Sequence, residues 1–177
     1  SGERSVGGRS SLVSLPALES LTYLAQNFCT GFNIVASSSG DVDLPVLATV
    51  ITNPENVYDH SFRASSATSE LSIPALTTLD AALALNVDTG ASLLAPSVSE
   101  VLGNITVQAG SSLTLPLAVS VGSATLSISG TLNLPVLTGL EESTINLSGA
   151  GVVSVPELLA STGVNLNLSG NSLFDAP

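Results

Sequence analysis

The residues with the widest chemical range in this 177-residue chain crowd into its first third: Tyr23, Cys29, Tyr58, His60 and Arg63. Cys29 is the single cysteine and His60 the single histidine. A thiol and an imidazole held side by side make a nucleophile and its base. That requires the loops carrying them to stack on successive windings of one fold. The ordinary alternative is a buried thiol and a surface-loop imidazole with no shared task. The acids Glu19, Asp80, Glu100, Glu141, Glu142 and Glu157 are dispersed, whereas glycan-cleaving sites need carboxylates facing each other across one groove. Only Asp41 and Asp43 pair on one strand face, and two carboxylates fall far short of the six to eight oxygens a calcium ion takes. The expectation is no enzyme, no cofactor and no metal site.

The elements that carry these residues follow from the prolines. They fall at 16, 45, 74, 96, 116, 135, 156 and 177, with one more at 54, so the spacings are 29, 29, 22, 20, 19, 21 and 21. A period near 20 residues is the signature of a stacked-repeat fold. The residues one and three before each proline are apolar, from Val13/Leu15 and Val42/Leu44 to Val153/Val155 and Phe174/Ala176. Alternation of this kind predicts a short strand with one buried face, stopped by a residue that cannot donate to a ladder. Apolar residues two and five after the proline, such as Leu47/Val50 and Leu137/Leu140, have the spacing of one helical or 3₁₀ turn. A second strand follows, with inward pairs Leu85/Val87, Ile105/Val107, Leu126/Ile128, Ile145/Leu147 and Leu166/Leu168. Gly90, Gly110, Gly130, Gly149 and Gly170 close it, glycine supplying the positive φ of a tight corner.

The fold class expected is therefore all-β: a parallel β-solenoid of about eight coils over residues 12–177, with an extended N-terminal arm over 1–11. The two 29-residue coils carry insertions, roughly 25–40 and 51–70. A single coil cannot offset the conformational entropy of ordering its own backbone, so the coils must stack.

The stretch Leu166-Asn167-Leu168-Ser169-Gly170-Asn171-Ser172-Leu173 and the recurring Leu-Pro-x-Leu at 15–18, 44–47 and 134–137 resemble leucine-rich repeats, most nearly the irregular receptor-L-domain type of cell surfaces. The resemblance implies an extracellular scaffold or recognition surface and carries no catalytic residue across. The chain departs from that pattern in its second strand per coil and in lacking a regular asparagine ladder at the inner corner.

Composition narrows the partners. Three arginines against fourteen acids give a net charge of −11, leaving little to neutralise phosphates, so nucleic acid is excluded and an anionic membrane surface disfavoured. No apolar run reaches the length of a membrane span. Charged residues are 10% of the chain and aromatics 3%, so Leu, Val, Ile and Ala must fill the core. With Ser, Thr and Asn abundant, this composition suits a secreted or cell-surface protein. A chain beginning Ser1-Gly2-Glu3-Arg4 without Met reads as a processed product or a piece of something longer.

Two polar columns lie outward on the second strand: Asn86, Thr106, Ser127, Asn146, Asn167 and, beside them, Ala84, Asn104, Thr125, Thr144, Asn165. Three readings stand. The columns are a plain solvated face. Or they are glycosylated at the sequons of Asn104, Asn146 and Asn167. Or they form an ice- or carbohydrate-binding plane on Thr106, Thr125, Thr144 and Asn165. The arm holds Arg4 and Arg9 with Glu3, for a charge of +1 against −12 on the remainder. It is expected to dock on the acidic body of a neighbouring copy, while uncapped coil ends stack into an open filament. The function expected is thus a self-assembling extracellular structural subunit. The alternative is a monomeric surface module for adhesion, carbohydrate or ice.

Overall fold

In a computed structural model that describes residues 11–23, 31–52 and 60–177, a proline opens the same corner of each winding. The amide two residues after it donates to the carbonyl of the residue before it, from Leu18 N to Leu15 O (3.2 Å) through to Leu158 N to Val155 O (3.2 Å). This is a β-turn with proline at its second position, where a fixed φ is an asset and no N–H is required. Both ends of the turn are inward aliphatics, so the corner closes over core.

Three faces result. The first holds β1 (Leu12–Ser14), β4 (Asp41–Asp43), β7 (Glu70–Ser72), β10 (Ser92–Leu94), β13 (Ser112–Thr114), β16 (Thr131–Asn133), β19 (Val152–Ser154) and β22 (Leu173–Asp175). The second holds β2 (Ser20–Tyr23), β5 (Thr49–Thr52), β8 (Thr78–Leu79), β11 (Glu100–Val101), β14 (Ser120–Gly122), β17 (Gly139–Glu141) and β20 (Ala160–Thr162). The third holds β3 (Asn33–Ser37), β6 (His60–Ser65), β9 (Leu83–Val87), β12 (Asn104–Val107), β15 (Thr125–Ile128), β18 (Thr144–Leu147) and β21 (Asn165–Leu168).

Every pairing is parallel and joins a strand to its counterpart one winding away. Register repeats the proline spacing: Val13 faces Val42, which faces Leu71, and Leu132 faces Val153, which faces Phe174. The protein is an all-β parallel β-solenoid, and no helix occurs among the described residues. The first face is split between β10 and β13 and the second between β5 and β8. The third is one continuous seven-stranded sheet from β3 to β21. It is the long surface of the molecule.

Three expectations change. The segment after the proline is a β-turn and a short strand, not a helical turn: the residue at +2 ends the turn and the residue at +5 points inward from the second face. Complete three-strand windings run from β1–β3 to β19–β21, so the last of the eight predicted coils is present only as β22. The insertions in the 29-residue windings are shorter than predicted, because β3 and β6 occupy their second halves.

The corner between third and first faces uses left-handed backbone. Gly110 has φ 78°, and Gly90, Gly149 and Gly170 repeat it. Gly130 is different, since its corner is shorter; a Cβ there would overlap the carbonyl oxygens of Gln108 and Ser111. Close approach rather than φ demands that glycine. In the long windings the same corner is built from Ser38 and Ser39 (φ 55° and 61°) and from Thr68 (φ 68°).

Inward columns form one apolar core, with Leu44, Leu71, Leu85, Ile105 and Leu126 fully buried. Burial of such side chains contributes roughly 1.5–3 kcal/mol each. The same columns surface at the two ends: Val13 and Leu15 are 52% and 44% exposed, Leu166 and Leu168 42% and 54%.

Candidate ligand face

The outward residues of the third face are set by strand alternation. In one column Asn33 faces Ser61, then Ala84, then Asn104. Thr125, Thr144 and Asn165 continue it, joined by the Thr125 amide donating to Asn104 Oδ1 at 3.0 Å. In the other, Val35, Arg63, Asn86, Thr106, Ser127, Asn146 and Asn167 lie in register. Thr106, Thr125, Thr144 and Asn165 therefore share one face, as their spacing predicts. The structure extends both columns by two windings, through Asn33, Val35, Ser61 and Arg63. The alternation of Asn-Ile-Val-Ala-Ser and His-Ser-Phe-Arg-Ala-Ser was the signal for this, masked by its place inside insertions.

The face is not flat. Ala84 is the smallest residue of its column and leaves a hollow of about 330 Å³ lined by Asn33, Ser61, Asn86, Asn104, Thr106, Thr125 and Ser127 besides itself. No lining residue is charged. Ser61 Oγ donates to Asn33 Oδ1 at 2.6 Å, fixing one wall. At the rim, Arg63 Nε and Nη2 both donate to Asp88 Oδ2, at 2.9 and 2.6 Å. The ion pair neutralises the nearest charges and, being half in water, adds little stability.

The sequon asparagines all lie within strands of this sheet. Asn167 Nδ2 donates to Asn146 Oδ1 at 2.9 Å, so the nitrogen a glycan would occupy is engaged in a ladder between windings. Asn104 uses its oxygen on Thr125 and borders the hollow.

His60 departs from expectation. It is wholly buried at the start of β6, not on a surface loop. Its Nδ1 accepts from the Phe32 amide at 3.0 Å, and its ring stacks on Phe32 with centroids 4.7 Å apart and meets Tyr23 edge-on at 4.7 Å. Phe62 adds an edge contact to Phe32. The imidazole thus acts as a piece of an aromatic plug. Cys29 and Tyr58 lie outside the described residues, as do Arg4 and Arg9. Asp41 stands in register with Glu70, and Asp43 with Ser72. Glu100 and Glu141 border a smaller hollow of about 170 Å³ on the second face, opened by Gly122 and Gly139.

No protein-family model, no curated protein and no solved structure matches this chain. The likeness to leucine-rich repeats accordingly finds no support from a family, and what stands is the parallel β-solenoid itself. Among the described residues no helix is long and apolar enough to cross a membrane.

Proposed function

We propose that the protein is an extracellular structural rod, a self-assembling subunit of a surface filament joined end to end through its open windings. The observation that carries this reading is the in-register stack itself: each strand pairs in parallel with its counterpart one winding away, so a winding of a second copy can continue the same ladders. Stacking one copy's winding on another's buries apolar side chains and pairs backbone groups together, the two gains a sheet edge invites. A heterologous contact of this type propagates rather than closing unless its rotation makes a ring.

Charge supports a role for the arm, since Arg4 and Arg9 oppose an acidic body. A surface location rests on the low share of charged residues and the abundance of Ser, Thr and Asn. Sedimentation of the intact chain tests the reading: a polymer is expected, with monomers released by the double change Leu166→Asp and Leu168→Asp. Deleting residues 1–10 is expected to release monomers as well, most strongly at low salt, where the attraction of Arg4 and Arg9 to an acidic body is least screened. A chain that remains monomeric at every concentration overturns it and leaves the second reading, a monomeric surface module for adhesion, carbohydrate or ice. The hollow on the third face favours that alternative.

A further inference from the structure

We infer that the hollow centred on Ala84 is a binding site for a neutral, linear oligosaccharide. This does not depend on assembly, because the site lies on a side face and not at an end.

The lining decides the chemistry of the ligand. Asn33, Ser61, Asn86, Asn104, Thr106, Thr125 and Ser127 offer amides and hydroxyls, each able to donate and accept. Asn86, Thr106 and Ser127 make no side-chain hydrogen bond among the described residues, so their capacity is available to a visitor. An apolar ligand gains little from such walls. A phosphate or nucleic acid meets no positive charge, because Arg63 is spent on Asp88 at 2.6 Å and the chain carries −11. A peptide strand would need a sheet edge, and this is the middle of a continuous sheet. A sugar chain satisfies all three conditions. Its hydroxyls match mixed donors and acceptors, its C–H faces rest on the Ala84 and threonine methyls, and it has no charge to desolvate. Ice is the poorer fit, since a water lattice wants a level plane and Ala84 makes this one concave. The volume, about 330 Å³, sits at the small end of the range for ligand sites. It accommodates a short stretch of the chain, whose remainder runs along the polar columns.

The test uses the intact protein and three probes: a β-1,4-glucan hexaose, a β-1,4-mannan hexaose and an oligogalacturonate of similar length. Binding is followed by NMR at the Ala84 methyl and the Thr106 amide. Saturable shifts are expected with at least one neutral probe at millimolar concentration or below, and none with the acidic one. Ala84→Gln, which fills the hollow, is expected to weaken binding at least tenfold, and Asn86→Ala with Thr106→Ala, which removes contacts without adding bulk, by a similar factor. Thr114→Gln, exposed in β13 on the first face, is expected to leave affinity unchanged. Absence of shifts with both neutral hexaoses at about 10 mM, a regime of only a few kcal/mol, overturns the inference. So does equal loss in Thr114→Gln. Ice-growth inhibition by a protein that binds neither hexaose overturns it in favour of the water lattice.

Discussion

The two 29-residue windings and the shorter windings that follow share one plan and solve its corners differently. In the shorter windings the turn from third to first face falls mostly on glycine, as at Gly110 with φ 78°. In the long windings the same turn falls on Ser38, Ser39 and Thr68, all at positive φ. A left-handed residue with a Cβ costs roughly 1–2 kcal/mol. The long windings carry that strain at this corner, the shorter ones at a different one, on Ser123 and Glu142 (φ 52° and 45°). What the long windings add is Tyr23, Phe32, His60 and Phe62 packed in one group, a local aromatic plug where the regular windings repeat aliphatics.

Removing the plug is expected to have the largest effect. Phe62→Ala deletes the largest fully buried side chain and should cost about 3–5 kcal/mol, read as a drop in the denaturant midpoint and as early hydrogen exchange in β3 and β6. If the loss is no greater than for an aliphatic of the shorter windings, the contrast between the regions disappears. Gly130→Ala comes next: its Cβ would meet two carbonyl oxygens, and forcing them apart should cost about 1–3 kcal/mol in calorimetric unfolding. Gly110→Ala meets only the Thr89 methyl at 3.8 Å, so the penalty should be the backbone term alone, about 1–2 kcal/mol. Ser38→Gly should move the other way, adding up to about 1 kcal/mol of stability, read as a higher unfolding midpoint, because it relieves φ 55° at some entropic expense. A neutral or negative result there shows that the long windings are not strained at this corner.

Much of this was legible before any coordinates. Proline spacing equals strand register, because the turn proline sits at a fixed offset from the first-face strand. The outward columns from Ala84 and Asn86 onward follow from simple alternation. The third strand of each winding was not legible: second-face strands run from two to four residues, and the core points at +2 and +5 after the proline mimic a helical step. His60 misled for a related reason. A polar residue at a strand start reads as loop, and only the Phe32 amide meeting its Nδ1 at 3.0 Å, from a winding 28 residues away, explains its burial. The hollow was also invisible, since one alanine among asparagines and threonines becomes a depression only when its neighbours stand in register.

The direction of the ladders has a mechanical consequence. Hydrogen bonds between windings run along the long axis of the solenoid, so a pull applied at the two ends loads them one winding after another and not all at once. Such a body should yield in steps, each freeing a winding of about 20 residues and paying out roughly 70 Å of chain. A protein built this way lengthens under tension before it breaks, a shock absorber whose travel is set by how many windings it contains.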